Sequence, residues 1–142
     1  MSFTAFSVGR DTQLVVMTPS GRIDLTYVTS FESRQLTKSV RVNRMDGTQL
    51  GTELPRGWEG AFELDRGNSA VDDFIALAEQ QYYNNGRTLV GTMYQYITEP
   101  DGSTSTYQYD MVSFRLSSSG TWRGDSSVKQ KLEFFSATRR RI

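Results

Sequence analysis

One segment restricts the architecture more than any other. Between Gly57 and Gly86 (GWEGAFELDRGNSAVDDFIALAEQQYYNNG) a strand pattern runs directly into one amphipathic helix, and the chain on either side alternates like β-structure. Trp58, Gly60, Phe62 and Leu64 alternate with Glu59, Ala61, Glu63 and Asp65, the period-two pattern of a half-buried strand. Ser69 is the expected N-cap, with Asp72 in the capping-box position and Asp73 adding favourable charge to the first turn. Val71, Phe74, Ile75, Ala78 and Tyr82 recur at helical spacing and predict one apolar stripe packed on a sheet. Asn84-Asn85-Gly86 ends the helix, with Gly86 in the left-handed position. A single helix among long strands predicts a mainly β fold, an antiparallel β-sandwich or barrel flanked by that helix.

The flanking strands are less sharply bounded. Gln13–Thr18 is a short apolar strand, and Pro19-Ser20-Gly21 supplies turn chemistry. Arg22 to about Ser33 alternates through Ile23, Leu25 and Tyr27, with an irregularity expected near Val28. Val40 and Val42 mark a third strand over 35–43, with Arg41 and Arg44 suggesting an edge or an interface. Met45–Pro55 has two glycines and no clean period, and reads as a long inter-strand loop. Its apolar residues Met45, Leu50 and Leu54 favour a segment that orders against a neighbour. Leu89–Thr98 and Ser103–Leu116 form a hairpin about Glu99-Pro100-Asp101-Gly102. Tyr107 and Tyr109 have one parity; Val112, Phe114 and Leu116 have the other, so a bulge is expected to hand the core across. Val128–Phe135 is the last strand, and Thr138–Ile142 a basic tail. The 142 residues form one domain, with 1–12 as an N-terminal arm.

Composition narrows the chemistry. The chain has no cysteine and no histidine, so disulfides, thiolate chemistry, Ser-His-Asp triads and histidine-ligated zinc are all excluded. Sixteen basic and sixteen acidic residues balance, so no net charge drives the chain onto nucleic acid or membrane. Asp72-Asp73 diverge on a helix and read as first-turn charges rather than a metal pair. Glu59, Glu63 and Asp65 share one strand face, as an acidic stripe or a solvated sheet face. No phosphate-cradling glycine motif is present. The opening MSFTAFSVGRD lacks the charge-then-apolar order of a secretory signal, and no apolar run is long enough to span a bilayer. These readings predict a protein that is not an enzyme, needs no cofactor or metal, and works through its surfaces. Long strands leave unpaired edges, which invite association with a further chain.

The order of features resembles the tail tube proteins of contractile-tailed bacteriophages, related to the tubes of contractile injection and secretion machines. The resemblance lies in VTSFESRQLTKSVRVNRMDG, LPRGWEGAFELDR, VDDFIALAEQQYYNNG, TMYQYITEPDGSTSTYQYDMVSFRL and GTWRGDSSVKQKLEFFSA, from about Leu14 onward. It implies a structural subunit of stacked hexameric rings in a virion tail, made in the host cytoplasm, with sheath and baseplate proteins as partners and DNA passing through the lumen. It implies that 45–55, with Met45, Asp46, Gly47, Leu50 and Leu54, reaches the neighbouring ring. It implies no catalytic residues. A channel for DNA should not hold it, so Glu59, Glu63, Asp65 and Asp101 are the lumen candidates, and Arg139, Arg140 and Arg141 are expected at subunit contacts. A ring that starts or ends the tube fits the same features. A monomeric β-barrel that binds a small apolar ligand, with the tyrosine-rich hairpin and the helix as a lid, is the competing class.

Overall fold

Strand order follows from one strand that changes partners. A computed structural model of the chain describes residues 7–19, 21–25 and 28–142. Its elements are a short 3-10 turn at Gly9–Asp11, then β1 (Thr12–Thr18), β2 (Gly21–Asp24), β3 (Val28–Asn43), β4 (Gln49–Asp65), α1 (Ala70–Asn85), β5 (Gly91–Thr98), β6 (Thr104–Ser118), β7 (Lys129–Ser136) and β8 (Thr138–Arg141). All strand pairs are antiparallel, in one sheet ordered β2-β1-β5-β6-β7-β4-β3, with β8 also on β6. The N-terminal half of β6 pairs with β5, and its C-terminal half, from Ser113, pairs with β7. The change falls at Met111, whose φ of 51° is a bulge conformation. Phe114 and Leu116 thereby return to the core after Tyr109 and Val112. The bulge expected from the switch of parity is therefore present, and it folds the sheet on itself. The sheet is not closed.

Inside the fold is one core. Leu14 and Val16 of β1, Met93 of β5, Tyr109 and Val112 of β6 meet Phe62 and Leu64 of β4, Leu132 and Phe134 of β7, and Val71 of α1. Phe134 is its hub: its ring stacks on Phe31 at 5.8 Å and meets Tyr109 edge-on at 5.6 Å. Tyr109 is fully buried, and its hydroxyl donates to Gln95 Oε1 at 3.2 Å, so its polar end is satisfied. Gly60 lets β3 and β4 approach there, because a Cβ would run into the Glu32 carbonyl oxygen.

The helix holds to part of its expected stripe. Val71 and Phe74 are buried, and Phe74 meets Phe114 edge-on at 5.9 Å. Tyr82 is 55% exposed, so the last turns stand clear of the sheet. Gly86 takes φ 67° and its N–H donates to the Tyr82 carbonyl, as expected of the C-cap. The N-terminus differs from expectation. Ser69 makes no side-chain cap; Asn68 Oδ1 accepts from the Ala70 amide, and Ser69 Oγ donates to Asp73. Asp72 is drawn away by Arg66 (2.9 Å), just after β4, and by the buried Gln130 (2.8 Å) of β7, which tie the helix start to both strands. Phe74→Ala should cost about 3 to 5 kcal/mol, whereas Tyr82→Ala should stay within about 0.5 kcal/mol. Urea unfolding of both variants measures the contrast.

Two further boundaries differ. The separate strands expected over 22–33 and 35–43 become β2 and one continuous 16-residue β3, whose register shift at Val28/Ser30 is the expected irregularity. The segment Met45–Pro55 is not a loop. From Gln49 onward it is strand β4, in register with β3 from Asn43↔Gln49 to Thr37↔Pro55. Calls on residues 1–6 of the N-terminal arm, on Ser20 and on Tyr27 lie outside the described residues.

Candidate assembly surfaces

Two surfaces stand out: a hairpin arm and the outer face of a four-stranded half-sheet. The arm is the far part of β3 and β4, joined by the turn at 44–48. Asp46 Oδ1 accepts from the Thr48 amide, Gly47 has φ 87°, and Arg44 N–H donates to the Thr48 carbonyl. Cross-strand pairs place Lys38/Leu54, Val40/Thr52 and Val42/Leu50 on one face, and Ser39/Glu53, Arg41/Gly51 and Asn43/Gln49 on the other. Thr37 and Ser39 hydroxyls both donate to Glu53 (2.8 and 2.7 Å) on the polar face, which holds its carboxyl below the ordinary range. Met45, Val42, Leu50 and Leu54 are exposed. The arm is thus an amphipathic two-stranded ribbon whose apolar side is exposed among the described residues. Such a ribbon is marginal in water on its own.

The arm leaves the body at Gly57. An extra residue at Arg56 shifts register between Leu36 and Thr37, and Gly57 has φ 123°. A Cβ at Gly57 would sit 2.8 Å from the Ser136 carbonyl oxygen and 2.9 Å from the Phe135 ring. Only glycine therefore permits this departure.

The half-sheet comprises β3, β4, β7 and the C-terminal part of β6. One face is core. The outer face brings Glu59, Glu63 and Asp65 together as strand periodicity requires, with Glu32 and Glu133 beside them. Of the two readings of these acids, an acidic stripe or a solvated sheet face, the mixed charge of this face fits the second. Arg34, Arg115, Lys129 and Lys131 share it, so five acids face four bases, an excess of one negative charge. Arg34 pairs with Glu59 at 2.7 Å, Lys129 with Asp65 at 3.7 Å, and Arg115 with Glu133. Lys131 stands opposite Glu63 in register. Asp101 lies elsewhere, in the β5–β6 turn, where it accepts from the Ser103 amide and hydroxyl; those bonds lower its pKa. The two outer edges of this half-sheet, along β3 and along β6 from Ser113 to Ser118, have no strand partner among the described residues.

The basic C-terminal residues are not a loose tail. Thr138–Arg141 is β8, paired to Tyr107–Asp110. Arg140 donates to Asp110 at 2.8 Å, and Gln108 and Thr138 donate to the same carboxylate, which sits below the ordinary carboxylate range chiefly through Arg140. Arg139 lies over the rings of Tyr107 (3.6 Å), Trp58 (4.5 Å) and Tyr109 (5.7 Å). A run of three arginines, expected at subunit contacts, carries no sign of this contact within the chain. Asp110 binds its proton less readily folded than unfolded, so its contribution is present above the ordinary Asp pKa and lost as pH falls through the lower folded value. Asp110→Asn should therefore flatten the acid limb of the stability curve, measured by thermal melts between pH 2 and pH 6.

Among the described residues no group of three or more Asp or Glu is arranged to hold a metal ion, and no helix is long and apolar enough to cross a membrane. The apolar recess under the helix, lined by Val16, Phe62, Val71, Phe74 and Phe114, has a volume of about 10 Å³. That is the space of about one water molecule, so this recess holds no small apolar ligand.

No protein-family model and no curated protein matches the sequence. Solved structures do match the fold. A chain of the sheath–tube complex of the extracellular contractile injection system PVC aligns with TM-score 0.63 at 9% identity, over 92% of this chain and 88% of that one. A chain of the tube-terminating cap of the anti-feeding prophage aligns with TM-score 0.65 at 7% identity, over 100% and 94%. A chain of the virion of a native gene transfer agent particle aligns with TM-score 0.57 at 12% identity, over 96% and 99%. The chain is thus phage-tail-tube-like in fold across nearly its whole length.

Proposed function

We propose that the chain is a structural subunit of a tail tube that self-associates as stacked hexameric rings, with the outer face of the β3-β4-β7-β6 half-sheet lining a lumen that conducts DNA. The observation that carries this reading is the half-sheet itself. It has core on one face, paired charge on the other and, among the described residues, an open edge at each end. Pairing the β3 edge of one copy with the 113–118 edge of β6 in the next continues the sheet from subunit to subunit. Six copies give twenty-four strands. At about 4.8 Å spacing and about 40° tilt, the backbone ring is about 50 Å across, which leaves passage for a double helix after side chains are allowed for. The arm then projects towards the neighbouring ring and covers its apolar face there, with Met45, Asp46, Gly47, Leu50 and Leu54 at or near the contact. Sheath and baseplate proteins are the expected partners of such a tube. A ring that initiates or terminates it uses the same surfaces. The likeness in fold to sheath–tube and cap chains supports the assignment.

Light scattering on concentrated protein tests it: a mass near six subunits or multiples of six is expected, and a monomer at every concentration refutes it. The paired charges add a second expectation. Assembled tubes should not retain duplex DNA at low salt, because the wall offers no uncompensated basic stripe. The combined variant Glu59→Gln, Asp65→Asn, Glu133→Gln moves each outer face from one negative charge to two positive. It should gain binding that weakens with salt, at a slope of about −0.9 per phosphate contact. Co-sedimentation with labelled duplex reads both results; retention by the wild-type tube contradicts the lumen assignment.

A further inference from the structure

We infer that Arg139 is a positioning residue for the arm, clamping its root from the C-terminal strand. Gly57 turns the arm out of the sheet, and Trp58 is the next residue on β4, opposite Gln35 and Ser136. A pivot with φ of 123° beside an extra residue gives β4 a joint there but nothing on its own strand to fix the angle. Beyond the pivot β4 no longer pairs with β7, and among the described residues the arm's strand of β4 is paired with β3 alone. The Trp58 ring is held from two sides: Tyr109 meets it edge-on at 6.3 Å, and the Arg139 guanidinium lies over it at 4.5 Å. The same guanidinium lies over Tyr107 at 3.6 Å, so one planar group joins the arm's root to β6. A guanidinium suits this place because its flat face stacks on rings while it keeps its charge.

The surroundings keep Arg139 there. Ser136 is fully buried, with its hydroxyl 2.7 Å from the carbonyl oxygens of Asp110 and Thr138. Arg140 and Asp110 fix the next residue, and the Ile142 amide donates to the Thr106 carbonyl. Among the described residues the buried Arg139 Nε has no hydrogen-bond partner, and the contacts of its guanidinium are with the Tyr107, Trp58 and Tyr109 rings. β8 thus converts a free joint into a set angle. Where the arm serves ring stacking, as proposed above, that angle decides whether arms meet the next ring; this consequence rests on that reading, but the clamp does not.

The experiment is a distance measurement in the full chain. With no native cysteine, spin labels at Met45→Cys on the arm and Gln80→Cys on the helix report one distance by pulsed electron resonance. The wild-type background should give one narrow distribution. Arg139→Ala should broaden or shift it while circular dichroism shows the same strand content. Arg139→Lys, which keeps the stem and charge but not the planar face, should broaden it less and guards against loss of folding in the alanine variant. Arg140→Ala, which removes the Asp110 ion pair but leaves the rings covered and the Ser136 and Ile142 hydrogen bonds in place, should broaden it less than Arg139→Ala. A narrow, unshifted distribution in folded Arg139→Ala or Arg139→Lys overturns the clamp. Equal broadening in Arg140→Ala also overturns it, because β8 docking in general would then be responsible. A clamp confirmed in a chain that never forms rings would leave this inference standing and refute the tube reading alone.

Discussion

Replacing Thr37–Arg56 by an Asn-Gly turn is expected to abolish stacking while leaving the body folded. The excision removes both arm strands together, from the register shift outward, so no unpaired strand is left. None of the buried core residues lies in the deleted stretch. A two-residue Asn-Gly turn suits a hairpin closure. Excising Thr48–Glu53 alone, the natural choice for a loop, would instead strip β3 of its partner. The melting temperature should move by only a few degrees, since loop-closure entropy changes slowly with length. Electron micrographs should show single rings or smaller species and no tubes. Tubes of ordinary length from the shortened chain would remove the arm from the assembly mechanism.

Phe134→Ala should produce the largest loss of stability. The ring touches Phe31, Phe62 and Tyr109, so its removal opens a cavity where the two halves of the sheet meet. Large-to-small changes at such sites cost about 3 to 5 kcal/mol, and at this chain length each kcal/mol lowers the melting temperature by about 2 to 4 °C. A fall of roughly 10 °C or more in a calorimetric scan is expected. A fall under about 3 °C would mean the core collapses around the gap and that Phe134 is not its hub.

Much of the fold was legible because local signals and tertiary demands agreed. Gly86 stops the helix for the reason its sequence context suggests, and the shift of parity between Tyr109 and Val112 required the bulge at Met111. The arm is less legible, because two glycines and the absence of a clean period over 45–55 look like a loop. Asp46-Gly47 between Val40, Val42 and Leu50, Leu54 is a hairpin signal, and it could have revealed the paired strands. Ser69 failed as a cap because Asn68 already serves the first amide and Asp72 has tertiary partners in Arg66 and Gln130. The charged face was half legible. Period two places Glu59, Glu63 and Asp65 together, but the bases that neutralise them come from β3, β6 and β7, and only the register brings them across. The Arg139 contact depends on Trp58, Tyr107 and Tyr109, which converge only when β6 and β4 are both in place.

Electron microscopy of the purified chain at high concentration tests the central claim most directly. Six-fold rings or tubes are expected, and a reconstructed map should show β3 of one subunit paired with residues 113–118 of β6 in the next, with Glu59, Glu63 and Asp65 facing the channel. A uniformly monomeric protein, or rings whose channel is lined by the α1 surface instead, would contradict the account.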